Sequence, residues 1–116
     1  MKVLNHHIYE YRKGLRNLVL HTMKAEEILI AIAKLEKLQI PYYLQEVTPS
    51  KVNVFFGKLQ CVEIVKSFGK KTLSNFTDEE DFILGILLGY DRILQSERYL
   101  KRISERRKGN FHSSVR

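Results

Sequence analysis

Between Pro41 and Gly57 the chain carries two short runs, Tyr42–Val47 and Val52–Phe56, both rich in aromatic and β-branched residues. Such side chains favour a pleated surface, and the intervening Thr48-Pro49-Ser50-Lys51 has the composition of a turn. A β-hairpin is predicted. Two strands alone are at best marginally stable in water, so the flanking segments must supply its cover.

Upstream, Leu18-Val-Leu reads as a strand over 17–22, followed by helical apolar spacing at Ile28, Ala31, Ile32, Leu35 and Leu38. This predicts a helix over 24–39 with Thr22 as its N-cap. Glu26 and Glu27 lie near the helix start and Lys34 and Lys37 near its end, the order that complements the helix dipole. Pro41 stops the helix, since it lacks an N–H and biases Ile40 toward extended backbone. Downstream, Leu59, Val62, Val65 and Phe68 predict a helix over 58–68 that ends at Gly69.

Thr77-Asp78-Glu79-Glu80 has the form of a capping box, in which threonine and glutamate satisfy each other's free N–H groups. A long helix is predicted from residue 78 to about 105, carried by Ile83, Ile86, Leu87, Tyr90, Ile93, Leu94, Leu100 and Ile103. Its first part, Asp81–Asp91, is apolar on every side and holds Gly85 and Gly89. Two glycines inside a helix cost about 2 kcal/mol relative to alanines, so close approach of a neighbour is expected there, foremost the sheet. The first fifteen residues are assigned to a helix capped by Asn5 and ending at Gly14, although Tyr9 and Tyr11 also fit a strand's alternation.

These elements predict an α+β fold: a two-layer domain over 1–108 with a small mixed sheet of about three strands, helices against it, a long C-terminal helix, and a flexible basic tail over 109–116. The first two strands run parallel if they are neighbours. A chain of 116 residues can bury one substantial core, and with 44% hydrophobic and 28% charged residues most of it should fold.

With Cys61 as its single cysteine the chain forms no internal disulfide. Met1-Lys-Val-Leu-Asn-His-His7 lacks the apolar core of a secretory signal, and the longest apolar run, Phe82–Tyr90, is nine residues where a membrane span needs about 20. A cytoplasmic protein is expected. No cofactor is implied: phosphate-binding glycine motifs and nucleophile elbows are missing from the sequence.

The net charge of +7 is unevenly spread along the sequence, with +6 falling between Arg98 and Arg116. A local field of this kind attracts an acidic protein, and Arg98, Lys101, Arg102, Arg106 and Arg107 are the predicted contact residues. The same stretch, with the Tyr9–Arg16 mixture of aromatics and bases, supports nucleic-acid binding as an alternative. A small ligand-binding or enzymatic pocket formed by His7, His21, Tyr90 and Asp91, with Cys61 in reach, is a further alternative. His6 and His7 are adjacent and point apart, so no metal site is assigned. The acids Asp78–Asp81 are explained by capping and the dipole. The Gly85/Gly89 face is either internal or the interface of a homodimer.

Two stretches, His6–Thr22 and Asp81–Asp91 with Gln95, Arg98 and Tyr99, resemble a family of short bacterial proteins known only as a domain of unknown function, over about Val3–Ile103. The resemblance brings no activity. It implies an association with flavodoxin-type redox proteins, which are acidic and would suit a basic partner. A cysteine often follows the glutamine in such proteins, where this chain has Ser96; a redox role at that position is therefore not expected here.

Overall fold

The computed structural model describes residues 1–115, with side chains as far as Lys108. The tail predicted at 109–116 lies outside the residues whose side chains are described. The chain runs α1 (Lys2–Arg12), β1 (Leu18–Lys24), α2 (Ile28–Lys37), β2 (Tyr42–Thr48), β3 (Lys51–Gly57), α3 (Leu59–Ser67), α4 (Asp78–Leu87) and α5 (Arg92–Val115). The architecture is α+β.

The hairpin forms as its sequence predicts, β2 and β3 joined through Pro49 and Ser50 with a bulge at Glu46/Thr48. β1 does not lie beside β2. It pairs with β3, giving the order β1-β3-β2 with every pair antiparallel. The mixed sheet expected from the sequence is thus antiparallel throughout, because the hairpin's second strand takes the place between the two strands that α2 connects.

Helices cover both faces, so the sheet is the middle of three layers rather than one of two. On one face Val19, Met23, Val54 and Phe56 pack with Leu4 and Ile8 of α1 and Ala31 and Leu35 of α2. On the other, Leu18 and Phe55 pack with Val62 and Val65 of α3, Phe76, and Leu84 and Leu88 at and beside the end of α4. Val54, Phe55 and Phe56 are fully buried in succession, the mark of a central strand apolar on both sides.

Three local assignments differ from the sequence reading. Thr22 is a strand residue, not an N-cap: β1 continues to Lys24 and a 3-10 turn over Ala25–Glu27 leads into α2. Asn5 lies within α1 and its side-chain oxygen accepts from Lys34 Nζ at 2.7 Å. The single helix predicted from 78 to 105 is two. Gly89 takes φ +84°, a left-handed conformation that glycine adopts at little cost, and the Tyr90 N–H closes the turn on the Gly85 carbonyl at 3.0 Å. Asp91 then starts α5, its Oδ1 accepting from the N–H groups of Ile93 and Leu94 at 3.0 and 2.9 Å.

Candidate functional site

α4 begins at the predicted capping box: Thr77 Oγ1 accepts from the Glu80 N–H at 3.1 Å and the Glu80 carboxylate from the Thr77 N–H at 2.9 Å. Leu84 and Leu88 fix the α4 segment on the sheet, and α5 folds back along α4. Gly85 is the point of contact. A Cβ there would lie 2.0 Å from Gln95 Nε2, and the Gln95 amide donates to the Asp81 carbonyl at 3.1 Å. The close neighbour expected at the glycine pair is therefore α5 itself rather than the sheet, and only Gly85 sits inside a helix.

Charge holds the rest of this pair. Arg98 Nε and Nη2 donate to the two Asp81 oxygens at 2.9 and 3.0 Å. Arg102 reaches Asp78 and Asp81, both at 2.9 Å, and Arg106 reaches Asp78 at 3.1 Å. Arg98 foremost holds the Asp81 carboxyl below its ordinary pKa against the opposing effect of burial. Three of the five arginines and lysines predicted to meet a partner thus already face carboxylates of their own chain. Lys101 and Arg107 are exposed, without an ion-pair partner among the described residues.

This pairing redistributes the charge. Residues 78–108 hold seven bases and seven acids and are neutral, whereas residues 1–77 hold twelve bases against six acids. The positive end visible along the sequence becomes, on folding, a neutral helical hairpin beside a basic body.

Between the hairpin and the sheet lies a groove of about 820 Å³. Leu20, Leu73, Phe76, Leu84 and Leu88 form its apolar walls, Leu94 and Tyr90 stand exposed along it, and Asp81, Asp91, Gln95 and Arg98 supply its polar groups. The wall opposite α5 is held by a polar ladder that is buried at Asn53 and Gln45 and open to solvent at Thr22. Thr22 Oγ1 donates to Asn53 Oδ1 at 2.6 Å, the Asn53 amide to Gln45 Oε1 at 2.9 Å, and the Gln45 amide to the Lys71 carbonyl at 2.6 Å. Each group is a donor to the next, so the chain of bonds crosses all three strands and ties down the segment leading into the groove.

The pocket predicted for His7, His21, Tyr90 and Asp91 does not form, because the residues divide between the two faces of the sheet. His7 of α1 stacks edge-on against His21 of β1 with ring centroids 5.4 Å apart, and Arg16 Nη1 approaches His7 Nδ1 at 3.2 Å. Burial and the neighbouring His7 lower the His21 pKa. Tyr90 and Asp91 lie at the α4–α5 turn beside the groove. Cys61 on α3 packs against the Val62/Val65 core, and burial pushes its thiol up, away from the nucleophilic form. The Tyr9–Arg16 cluster also divides. Tyr11 packs edge-on against Phe56 at 6.3 Å, while Tyr9 is exposed with Lys13 Nζ 5.5 Å from its ring centre. Among the described residues no group of three or more His, Cys, Asp or Glu side chains is placed to hold a metal ion.

Of the groove's apolar walls the sequence places Leu20 in a strand, but the helical spacing picks Ile83 and Leu87 where the structure buries Leu84 and Leu88, and Leu73 and Phe76 fall in a stretch assigned to no element. The ladder is not visible in the sequence either, since Thr22, Gln45 and Asn53 come from three separated segments. Family comparison matches residues 2–102 to a protein of unknown function, DUF2023. The chain belongs to the DUF2023 family. The DUF2023 match takes in all of α1 to α4 and α5 up to Arg102, so groove, ladder and the paired Arg98 and Arg102 all fall inside it. No curated protein matches the chain. Among the described residues no helix is long and apolar enough to cross a membrane.

Proposed function

We propose that this chain is a non-enzymatic binding module that seats an acidic protein partner across the groove, with a flavodoxin-type redox protein as the first candidate. The observation that carries the reading is the groove's position, with one wall on the neutral hairpin and the other on β1 and the segment before α4, which belong to the basic body. An apolar trough with a few polar groups on its edge is the usual form of a recognition site, and a basic flank steers an acidic partner to it. Lys66 and Lys70 of the body are exposed, and Tyr90 on the groove is the kind of amphipathic aromatic enriched where proteins meet. The steering charges are accordingly reassigned from the C-terminal helix to the body.

The nucleic-acid alternative rests on the Arg98–Lys108 stretch with the Tyr9–Arg16 cluster; within that stretch the guanidinium groups of Arg98, Arg102 and Arg106 are occupied within the chain, which leaves it fewer bases for phosphate. Titrating a purified flavodoxin into the isotope-labelled protein tests the reading. Amide shifts are expected at Leu73–Phe76 and Leu88–Gln95, weakening with salt and lost on Leu94→Asp. Absence of shifts, or shifts confined to α1, would overturn it. A mixed-sequence oligonucleotide giving the stronger response at α1 would move the assignment to nucleic acid.

A further inference from the structure

α5 is an amphipathic helix turned inside out. Its charged side, Arg98, Arg102 and Arg106, lies against the acids of α4, while the opposite side presents Ile93, 69% exposed, and Leu100, 64% exposed, two turns apart. Ile103 continues this side half-buried, with the small Ser96 and Ser104 between. Such a stripe is unusual on a helix facing water, and it lies away from the groove, which α5 meets through Leu94, Gln95 and Arg98.

The geometry points to a second copy of this chain as the occupant, the two α5 helices packing antiparallel about a two-fold axis near residue 99. Two observations select that occupant. First, the hairpin is neutral while the rest of the chain carries the excess of base, so it is the surface on which two +7 molecules approach without repulsion and the least suited to attract an acidic protein. Second, on one flank of the stripe the charges are arranged by sign along the helix, Glu97 preceding and Lys101 and Lys108 following, none with an ion-pair partner among the described residues, while Arg107, seven residues after Leu100, ends the apolar run. A two-fold axis lays each flank of α5 on the same flank of its partner with the direction reversed. Glu97 of one copy then meets Lys101 of the other, twice, and Leu100 meets Leu100 next to the axis. A parallel pair would lay each of these charges level with its own copy. The contact does not involve the groove and does not depend on what the groove binds.

Sedimentation equilibrium of the full chain over a concentration series tests this. The expected mass is twice the 13.7 kDa of one chain. Leu100→Asp should give a monomer with an unchanged circular dichroism spectrum, since that side chain is exposed. Glu97→Lys should weaken association roughly tenfold by setting like charges together, and adding Lys101→Glu to it should restore the affinity. A chain that stays monomeric at all concentrations overturns the proposal, as does a dimer indifferent to Leu100→Asp. A dimer that Leu100→Asp disrupts but the charge reversal does not rescue overturns the antiparallel arrangement.

Discussion

The sheet with its two helical layers and the α4–α5 pair are held together by different physics. In the sheet unit, Phe55, Phe56, Leu18 and Val19 are wholly removed from water, and the buried polar pair Asn53 and Gln45 is satisfied bond by bond, with the exposed Thr22 at one end. In the hairpin, α4 alone reaches the core, and α5 is held by a close glycine contact and by arginine–carboxylate pairs. Apolar burial is indifferent to pH and salt, whereas charge pairing at a partly exposed surface is sensitive to both. The molecule therefore joins a robust unit to one that conditions can loosen, and the groove lies on the seam.

The largest expected effect is in the sheet. Phe55→Ala empties a fully buried position between β3 and the α3/α4 layer and should cost about 3–5 kcal/mol, read as a lower urea midpoint for the whole molecule. Equal protection of α5 amides in this variant and the parent would mean that the hairpin folds independently. Next, Asn53→Ala leaves the buried Gln45 Oε1 without a partner, while the exposed Thr22 hydroxyl turns to water, and should cost about 1–3 kcal/mol. Because the ladder ends on the Lys71 carbonyl, this variant should also loosen residues 70–76 in hydrogen exchange, which a purely apolar loss would not do selectively.

Much of the sheet unit was legible in the sequence because its signals are local. The hairpin turn, Pro41 ending α2, Gly69 closing α3 and the Thr77/Glu80 box each act within a few residues. What could not be read depended on pairing at a distance. The place of β1 beside β3, and with it a third layer, follows from which strand edge the hairpin offers. The break at Gly89 was hidden because apolar spacing continues through Leu87, Tyr90, Ile93 and Leu94 on both sides of it, as if one helix ran on. The charge of residues 98–106 reads as free in the sequence because its partners, Asp78, Glu79 and Asp81, lie several helical turns earlier, on the far side of the Gly89 break, and are already explained by the cap.

A smaller effect separates the two units directly. Arg102→Gln removes the group that bridges Asp78 and Asp81 and should cost about 1 kcal/mol, appearing in hydrogen exchange as easier opening of α5 with the sheet amides little changed. Acid should act the same way. The Asp81 pKa is lower in the folded chain than in the unfolded one, chiefly through Arg98, so its contribution is complete above the ordinary carboxylate range and is lost as pH falls through the folded value. Glu80, lowered chiefly by Lys71, behaves alike. His21 has the opposite chemistry: its folded pKa is depressed by burial, so the folded state resists protonation and loses stability as pH falls below about 6.5. Mild acid should therefore first weaken the α1–β1 contact, and stronger acid the hairpin. A single transition at one pH, reported equally by both regions, would contradict the division.

The smallest effect raises stability and sharpens the same contrast. Gln39 is held at φ +57°, the left-handed region, where the Ile40 N–H closes the end of α2 on the Leu35 carbonyl at 2.9 Å. A residue with a Cβ pays about 1 kcal/mol for that conformation, and glycine would not, although it adds freedom to the unfolded chain. Gln39→Gly should gain about 0.5 kcal/mol in denaturant unfolding. The gain belongs to the α2–β2 corner, so amides whose exchange requires global unfolding should slow, while α5 amides that exchange through local opening should keep the parent rate. If both slow together, α5 opens only when the sheet does, and the seam beneath the groove is stronger than its charge pairs account for.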